Sequence, residues 1–296
     1  MSNVYQNWFL ASRPWSFTMT FISVSVGGAL AAIDGIFSWP LYLITLVAMI
    51  AFHAATNLLN DYFDVQNGVD TLDTSTAQYR PHPLLEGKLQ PQQVRQGVII
   101  LYLFVALAGI ALAAARGWIV LFIGLIGAFA SIAYTAPPFK YKYHALGELS
   151  VFLMWGPLMI GGAYFVQHQT LSPQVLWVSL PFGALVALVI LVNNLRDMVH
   201  DHRKGVQTLP LLIGQGNGIR LYVMLIILAY GGILWMSFVG PLHLWSLLVL
   251  LSLPLAYRLL KQMAREIPVD ADVRTAQLDT VFGTLLVISL VLGAYF

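Results

Sequence analysis

The sequence predicts an all-α membrane protein, a polytopic bundle of about nine transmembrane helices with a cytoplasmic N-terminus. Three observations carry that prediction. Of 296 residues, 58% are hydrophobic and only 9% charged, with a mean hydropathy of +0.76, whereas soluble domains carry roughly 25% charged residues. Apolar runs able to cross a bilayer core, which takes about 20 residues as helix, recur along the whole chain. Every Lys and Arg except Arg116 falls in segments that nine spans would place on one side, the asymmetry that marks cytoplasmic loops.

The runs lie near 16–33, 41–59, 97–115, 118–134, 147–167, 175–195, 219–239, 242–260 and 277–295. They are uniformly apolar, so they read as helices; barrel strands alternate polar and apolar positions over about ten residues. The first run follows Arg13-Pro14-Trp15 and lacks a short apolar core ending in a cleavage site, so it is expected to stay in the mature protein. The basic residues flank the runs: Arg13 before the first, Arg80, Lys88 and Arg95 after the second, Lys140 and Lys142 after the fourth. Arg196, Arg203, Lys204 and Arg220 follow the sixth run, and Arg258, Lys261, Arg265 and Arg274 surround the loop after the eighth. Residues 1–296 are read as one integral membrane domain. The chain has no cysteine, which excludes disulfides, thiolate chemistry and Cys-based metal centres. A net charge of +2, dispersed over membrane edges, forms no basic stripe for nucleic acid. The expected environment is the lipid bilayer of the cell (inner) membrane, and no protein partner is predicted.

Acidic residues are more informative, because Asp in or beside a span is costly and usually has a partner and a function. One cluster, NLLNDYFDVQNGVDTLD, starts at the cytoplasmic end of the second run with Asn57, Asn60, Asp61 and Asp64 and continues to Asp70 and Asp73. If helix extends through Asp64, then Asn57, Asp61 and Asp64 share a face. The other, NNLRDMVHDHRKGVQTLP, follows the sixth run and spaces Asn193, Asp197 and Asp201 for one face as well. Asn57 and Asp61 match Asn193 and Asp197 at an offset of 136, and GVDTL from Gly68 matches GVQTL from Gly205 at 137, which suggests an internal repeat relating spans two and six.

Like charges gathered on one face repel and raise each other's pKa unless a cation neutralises them. Mg²⁺ suits such a set, since it takes hard oxygen ligands and bridges carboxylates to substrate phosphates. Two facing clusters would clamp a diphosphate through Mg²⁺ and stabilise charge on it as a leaving group, which permits ionisation of an allylic diphosphate. The bland alternative is solvated turn residues, for which Asn, Asp and Gly are common; one cluster fits it far better than two.

With these motifs the chain resembles the UbiA superfamily of membrane aromatic prenyltransferases over nearly its whole length. NDYFD (Asn60, Asp61, Asp64) looks like the family's first Asp-rich motif and DMVHD (Asp197, Asp201), followed by Gly205 and Thr208, like its second. Many members carry a third Asp at the position of Gly68, whereas here Asp70 comes two residues later. The spacing from Asp64 to Asp70, YTAPP from Tyr134, LGELSVF from Leu146 and FGTLL from Phe282 are similar to the branch that prenylates 1,4-dihydroxy-2-naphthoate in menaquinone synthesis. The resemblance implies Mg²⁺-dependent transfer from a polyprenyl diphosphate to a small aromatic acid, with the active site near the cytoplasmic face. Asp61, Asp64, Asp70, Asp197 and Asp201 would hold the metal. Asn57, Asn60, Arg80, Lys140, Asn193, Arg196 and Lys204 would contact diphosphate or acceptor, and Tyr134 would position or deprotonate the acceptor.

His82, Lys88 and Arg203 read equally as loop charges and as contacts to diphosphate or the acceptor carboxylate, and Arg95 and Lys142 as loop charges. His53, one turn before Asn57, reads first as a packed, hydrogen-bonded histidine and second as a substrate contact. Glu148 either enters the cavity or caps its helix. Two rival functions stand: a sibling enzyme acting on 4-hydroxybenzoate or another acceptor, and a secondary transporter, which also uses intramembrane Asp and repeats.

Overall fold

The computed structural model describes residues 4–295 except 73, 75, 76, 78 and 79, so Asp73 lies outside the described residues. A short helix α1 (Val4–Ala11) precedes a tight turn, Pro14–Ser16, that leads into α2 (Phe17–Ile33). The long α3 (Trp39–Gln66), α4 (Pro91–Arg116) and the shorter α5 (Ile119–Thr135) follow. Next come α6 (Gly147–His168), α7 (Pro173–Arg196), the short α8 (Met198–Arg203) and α9 (Leu209–Ile213), then α10 (Gln215–Phe238), α11 (Leu244–Met263) and α12 (Ala271–Tyr295).

Among the described residues eight helices are long and apolar enough to cross a membrane, α2 counted with its leading turn, and α5 is a shorter apolar helix. The fold is an all-helical polytopic bundle, as its composition predicts. Helix ends run past the hydrophobic stretches: α3 continues beyond residue 59 to Gln66, α4 starts at Pro91 and α12 at Ala271. The extensions are polar, so hydropathy misses them while capping supports them; Gln90 and Gln93 form a reciprocal capping box ahead of α4, with proline at its start.

The core gathers around α7, of whose most apolar stretch 78% is buried. Phe182, Leu185, Leu188 and Leu191 of α7 belong to one cluster with Tyr222 and Ile233 of α10 and Phe282 and Leu286 of α12. Helix α6 approaches α7 through glycines: a Cβ on Gly183 would lie 2.8 Å from the Phe152 carbonyl oxygen and 3.0 Å from Gly156 Cα. Small residues permit that approach in membranes, where packing replaces the hydrophobic drive. It coincides with a π turn in α6, Met154–Leu158, around Pro157. On the opposite flank only 11% of the apolar stretch of α4 is buried, and Phe122, Leu125 and Phe129 of α5 face outward. A large cavity lies between this flank and the core.

Candidate active site

The cavity measures about 1160 Å³. Its lower walls are hydrocarbon, with Met19, Met49, Phe52, Val105, Ile110, Leu121 and Leu158, while its mouth carries Arg13, Asn60, Asp64, Asp70, Arg80, Lys142, Asn193, Asp197, Asp201 and Asp272. Both acidic motifs therefore open into one space.

Continuous α3 carries the first motif to the mouth. Asn57 donates to the Ser12 carbonyl (2.9 Å) and to Ser16 Oγ (3.1 Å), which ties the N-terminal segment to α3. Arg13, in an uncommon left-handed conformation for a residue with a Cβ (φ 56°), forms an ion pair with Asp61. Lys142 Nζ reaches Asp64 Oδ2 at 2.5 Å and Asn60 Oδ1 at 2.8 Å. Asn60 Nδ2 also donates to Asp64 at 2.8 Å, and the Tyr143 hydroxyl donates to its other oxygen. Every carboxylate on the α3 face is thus matched by a cation or donor, as buried charge requires. One ligand atom each from Asp61, Asp70 and His82 lie within 4.8 Å of one another. His82 Nδ1 accepts from the Leu85 N–H at 3.3 Å, so Nε2 carries the hydrogen and faces Asp70 (3.4 Å) and Asp61 (3.9 Å) at ion-pair distance. Burial alone would raise the Asp70 pKa, but the His82 donor and the charges of Lys142 and Arg13 hold it below the usual carboxylate range.

The second motif differs. Helix α7 ends at Arg196, and Asp197 breaks it (φ −93°, ψ 8°) before α8. The i to i+4 backbone bonds Asp197 N to Asn193 O and Asp201 N to Asp197 O persist at 3.0 and 2.9 Å, so all three side chains line the cavity despite the break. Both motifs then close with one C-terminal cap: Val69 N bonds Asp64 O and Val206 N bonds Asp201 O, at 2.8 and 3.0 Å. Gly68 and Gly205 supply the left-handed residue (φ 68° and 70°) that this cap demands. Asp64 and Asp201 therefore hold matching positions, and the break at Asp197 absorbs the extra residue that turns an offset of 136 into 137.

One contact joins the motifs directly, and a relay ties the second motif to the loop after the first. His200 Nε2 lies 3.1 Å from the Val69 carbonyl, and an ionic relay runs from Arg80 to Asp272 (3.2 Å), on to Arg196 (3.0 Å) and to Asp197 (2.7 Å). The Asp201 carboxylate has no side-chain donor or ion-pair partner among the described residues, and burial, then Asp197, raises its pKa to about 7. Asn193 Oδ1 is likewise buried with no hydrogen-bond partner among the described residues.

Several expected residues sit elsewhere. Lys140 does not line the cavity and donates to Asn67 at 2.9 Å on an exposed edge; Lys142, read only as a loop charge, takes the inward place. Lys204 is exposed, and Arg196 acts through the relay without lining the cavity. Asp61, expected to hold metal, does not line the cavity and is buried against Arg13. Tyr134 lines the cavity beneath Lys142, whose Nζ lies 5.6 Å from its ring centroid. His53 is hydrogen-bonded to Thr20 (2.8 Å) and Ser16 (3.2 Å) and lines the cavity too. Glu148 does not line the cavity; it sits in the first turn of α6 and accepts from Asn194 at 2.8 Å. Arg13, Tyr143 and Asp272 went unread as site residues, since nothing local in sequence marks their partners.

A charged mouth over a hydrocarbon chamber suits an amphiphile with an anionic head, which makes this a membrane-embedded protein for lipid-like substrates. The profile of the UbiA prenyltransferase family matches residues 20–278, and the chain belongs to that family. It is 29% identical over 288 residues to the 1,4-dihydroxy-2-naphthoate octaprenyltransferase of Bacillus subtilis (strain 168), covering 96% of this chain and 92% of that one. It is 32% identical to UbiA prenyltransferase domain-containing protein 1 of Xenopus tropicalis, over 96% of this chain and 81% of that one. A UbiA homolog from Archaeoglobus fulgidus, solved bound to GPP and Mg²⁺, is 14% identical and has the same fold, with a TM-score of 0.66 over 96% of this chain and 99% of that one. The protein is a multi-pass membrane prenyltransferase, which removes the transporter reading.

Proposed function

We propose that this protein transfers a polyprenyl group from polyprenyl diphosphate to 1,4-dihydroxy-2-naphthoate, with Mg²⁺, at the cytoplasmic face of the cell membrane. The single observation that carries the reading is the opening of both Asp motifs into one cavity whose other end is hydrocarbon. The donor set fits Mg²⁺: Asp64, Asp70, Asp197 and Asp201 with the unpartnered Asn193 Oδ1 offer oxygen only. When bound, Mg²⁺ supplies Lewis-acid stabilisation of the departing diphosphate.

The chain's own groups do the remaining work. Arg13, Arg80 and Lys142 present positive charge to the diphosphate, Arg bidentately and Lys as a point charge. The C–O bond of the allylic diphosphate breaks, its electron pair leaving on the diphosphate. A ring carbon of the acceptor supplies the pair for the new C–C bond, and in the naphthoate the ring carboxylate leaves as CO₂. Tyr134, beside Lys142, faces the place where the acceptor ring would meet the allylic carbon, and the apolar walls hold the tail and exclude water. The naphthoate acceptor is favoured by the name of the Bacillus relative and by the Asp64 to Asp70 spacing.

Purified protein should release diphosphate and form prenylated product from polyprenyl diphosphate and the naphthoate only with Mg²⁺, and a folded Asp64→Asn variant should lose that activity. Equal turnover with 4-hydroxybenzoate would reassign the acceptor. Full Mg²⁺-dependent transfer by Asp64→Asn would remove the metal reading.

A further inference from the structure

Below the mouth, three hydroxyl groups from three helices line one wall of the cavity: Thr56 of α3, Tyr102 of α4 and Ser131 of α5. Their hydrogen positions follow from counting. Thr56 Oγ1 donates to the Phe52 carbonyl at 2.9 Å, and a hydroxyl has one hydrogen. Thr56 must therefore accept from Ser131, 2.6 Å away. With its own hydrogen committed, Ser131 accepts from Tyr102 at 2.7 Å. The chain runs Tyr102 to Ser131 to Thr56 to Phe52 O, and at its open end the Tyr102 oxygen keeps lone pairs but no free hydrogen. Edge-on contact with Phe52, 5.8 Å between centroids, holds the ring in place. That oxygen can only accept, so the group that meets it must bring an O–H or N–H.

We propose that the Tyr102 oxygen receives a hydrogen bond from a phenolic hydroxyl of the aromatic acceptor, which makes Tyr102 a residue that determines acceptor specificity. This rests on the prenyl-transfer reading above and adds the orientation of the ring. Thr56 lies one helical turn, about 6 Å along α3, below Asn60, which is bonded to Lys142 and Asp64. A ring anchored at Tyr102 thus lies just beneath the ionic mouth, where the allylic end of a bound diphosphate would be. Methyl ethers and quinones lack the required hydrogen and are disfavoured by the fixed polarity of the chain.

The test compares the equilibrium binding of 1,4-dihydroxy-2-naphthoate with that of its two monomethyl ethers, alongside transfer rates for each. In the wild type one ether should bind about tenfold more weakly than the parent, the upper range for one neutral hydrogen bond. Tyr102→Phe should bind the parent and that ether alike. Ser131→Ala should narrow the same gap by another route, because it frees the Tyr102 hydrogen to donate to the ether oxygen. Transfer that proceeds while both ethers bind as well as the parent would overturn the assignment and leave the reaction standing. So would a discrimination that survives in both variants, or a Tyr102→Phe loss equal for all three ligands. Discrimination in binding without any transfer would sink the reaction and leave this contact intact.

Discussion

The two Asp motifs end in the same helix cap but are neutralised differently. At the end of α3, Asp61 is paired with Arg13, and Asp64 with Lys142, Asn60 and Tyr143. After α7, Asp197 shares Arg196 with Asp272, and Asp201 has no cation within ion-pair distance among the described residues. The first motif is thus compensated by the protein itself, and the second leaves a carboxyl whose charge awaits a ligand. A cation entering the cavity has to displace Lys142 to reach Asp64, whereas Asp201 has nothing to surrender. The motifs are alike in backbone and unequal in electrostatics.

The largest expected effect tests whether the uncompensated side carries catalysis. Asp201→Asn should lower kcat by about 10²–10³-fold, the range for removing one group that stabilises developing charge, with the protein still folded by circular dichroism. A variant within a few-fold of wild type would show that the first motif suffices. Next in size is the compensation at Asp64. Lys142→Ala should destabilise the metal-free protein by about 3 kcal/mol, as expected when a buried carboxylate loses its partner, with part recovered on adding Mg²⁺. Lys140→Ala should stay within about 0.5 kcal/mol, as for a surface change; chemical unfolding in detergent reads both. Equal losses for the two lysines would erase the distinction drawn between them.

The smallest effect concerns pH. The Asp201 pKa is raised to about 7 from an ordinary value of 3.8, so its protonated form favours the folded state. The associated stability is complete below the ordinary value and disappears as pH climbs through about 7. The Tm of metal-free protein should therefore fall between pH 5 and pH 8, and Asp201→Asn should flatten part of that slope. An unchanged slope in the variant would place the titrating group elsewhere.

Much of this was legible in the chain. Nine apolar runs and two Asp clusters are local patterns, and the helix ends that hold Asn57, Asp61 and Asp64 follow from i, i+4 and i+7 spacing. Pairing across the fold was not legible: Arg13 and Lys142 lie 48 and 78 residues from their carboxylates, and in sequence each looks like a topology signal. Which of Lys140 and Lys142 faces the cavity depends on the backbone between them. Lys140 adopts a left-handed conformation (φ 45°) ahead of the tight turn Tyr141–Tyr143, so the chain reverses and the second lysine points inward. The break at Asp197 escaped notice because its flanking residues keep helical spacing through it.

Helix α4 contributes Tyr102, Val105, Ala106 and Ile110 to the chamber on one side and shows Ile100, Leu103, Leu107 and other apolar residues to the outside on the other. The partition between chamber and acyl chains is there a single helix thick. Hydrocarbon on its two sides is nearly the same solvent, so a tail gains almost nothing by being wholly inside. Burial of isoprene units is then a poor ruler, and any preference for a particular number of them has to be built from shape along that thin wall.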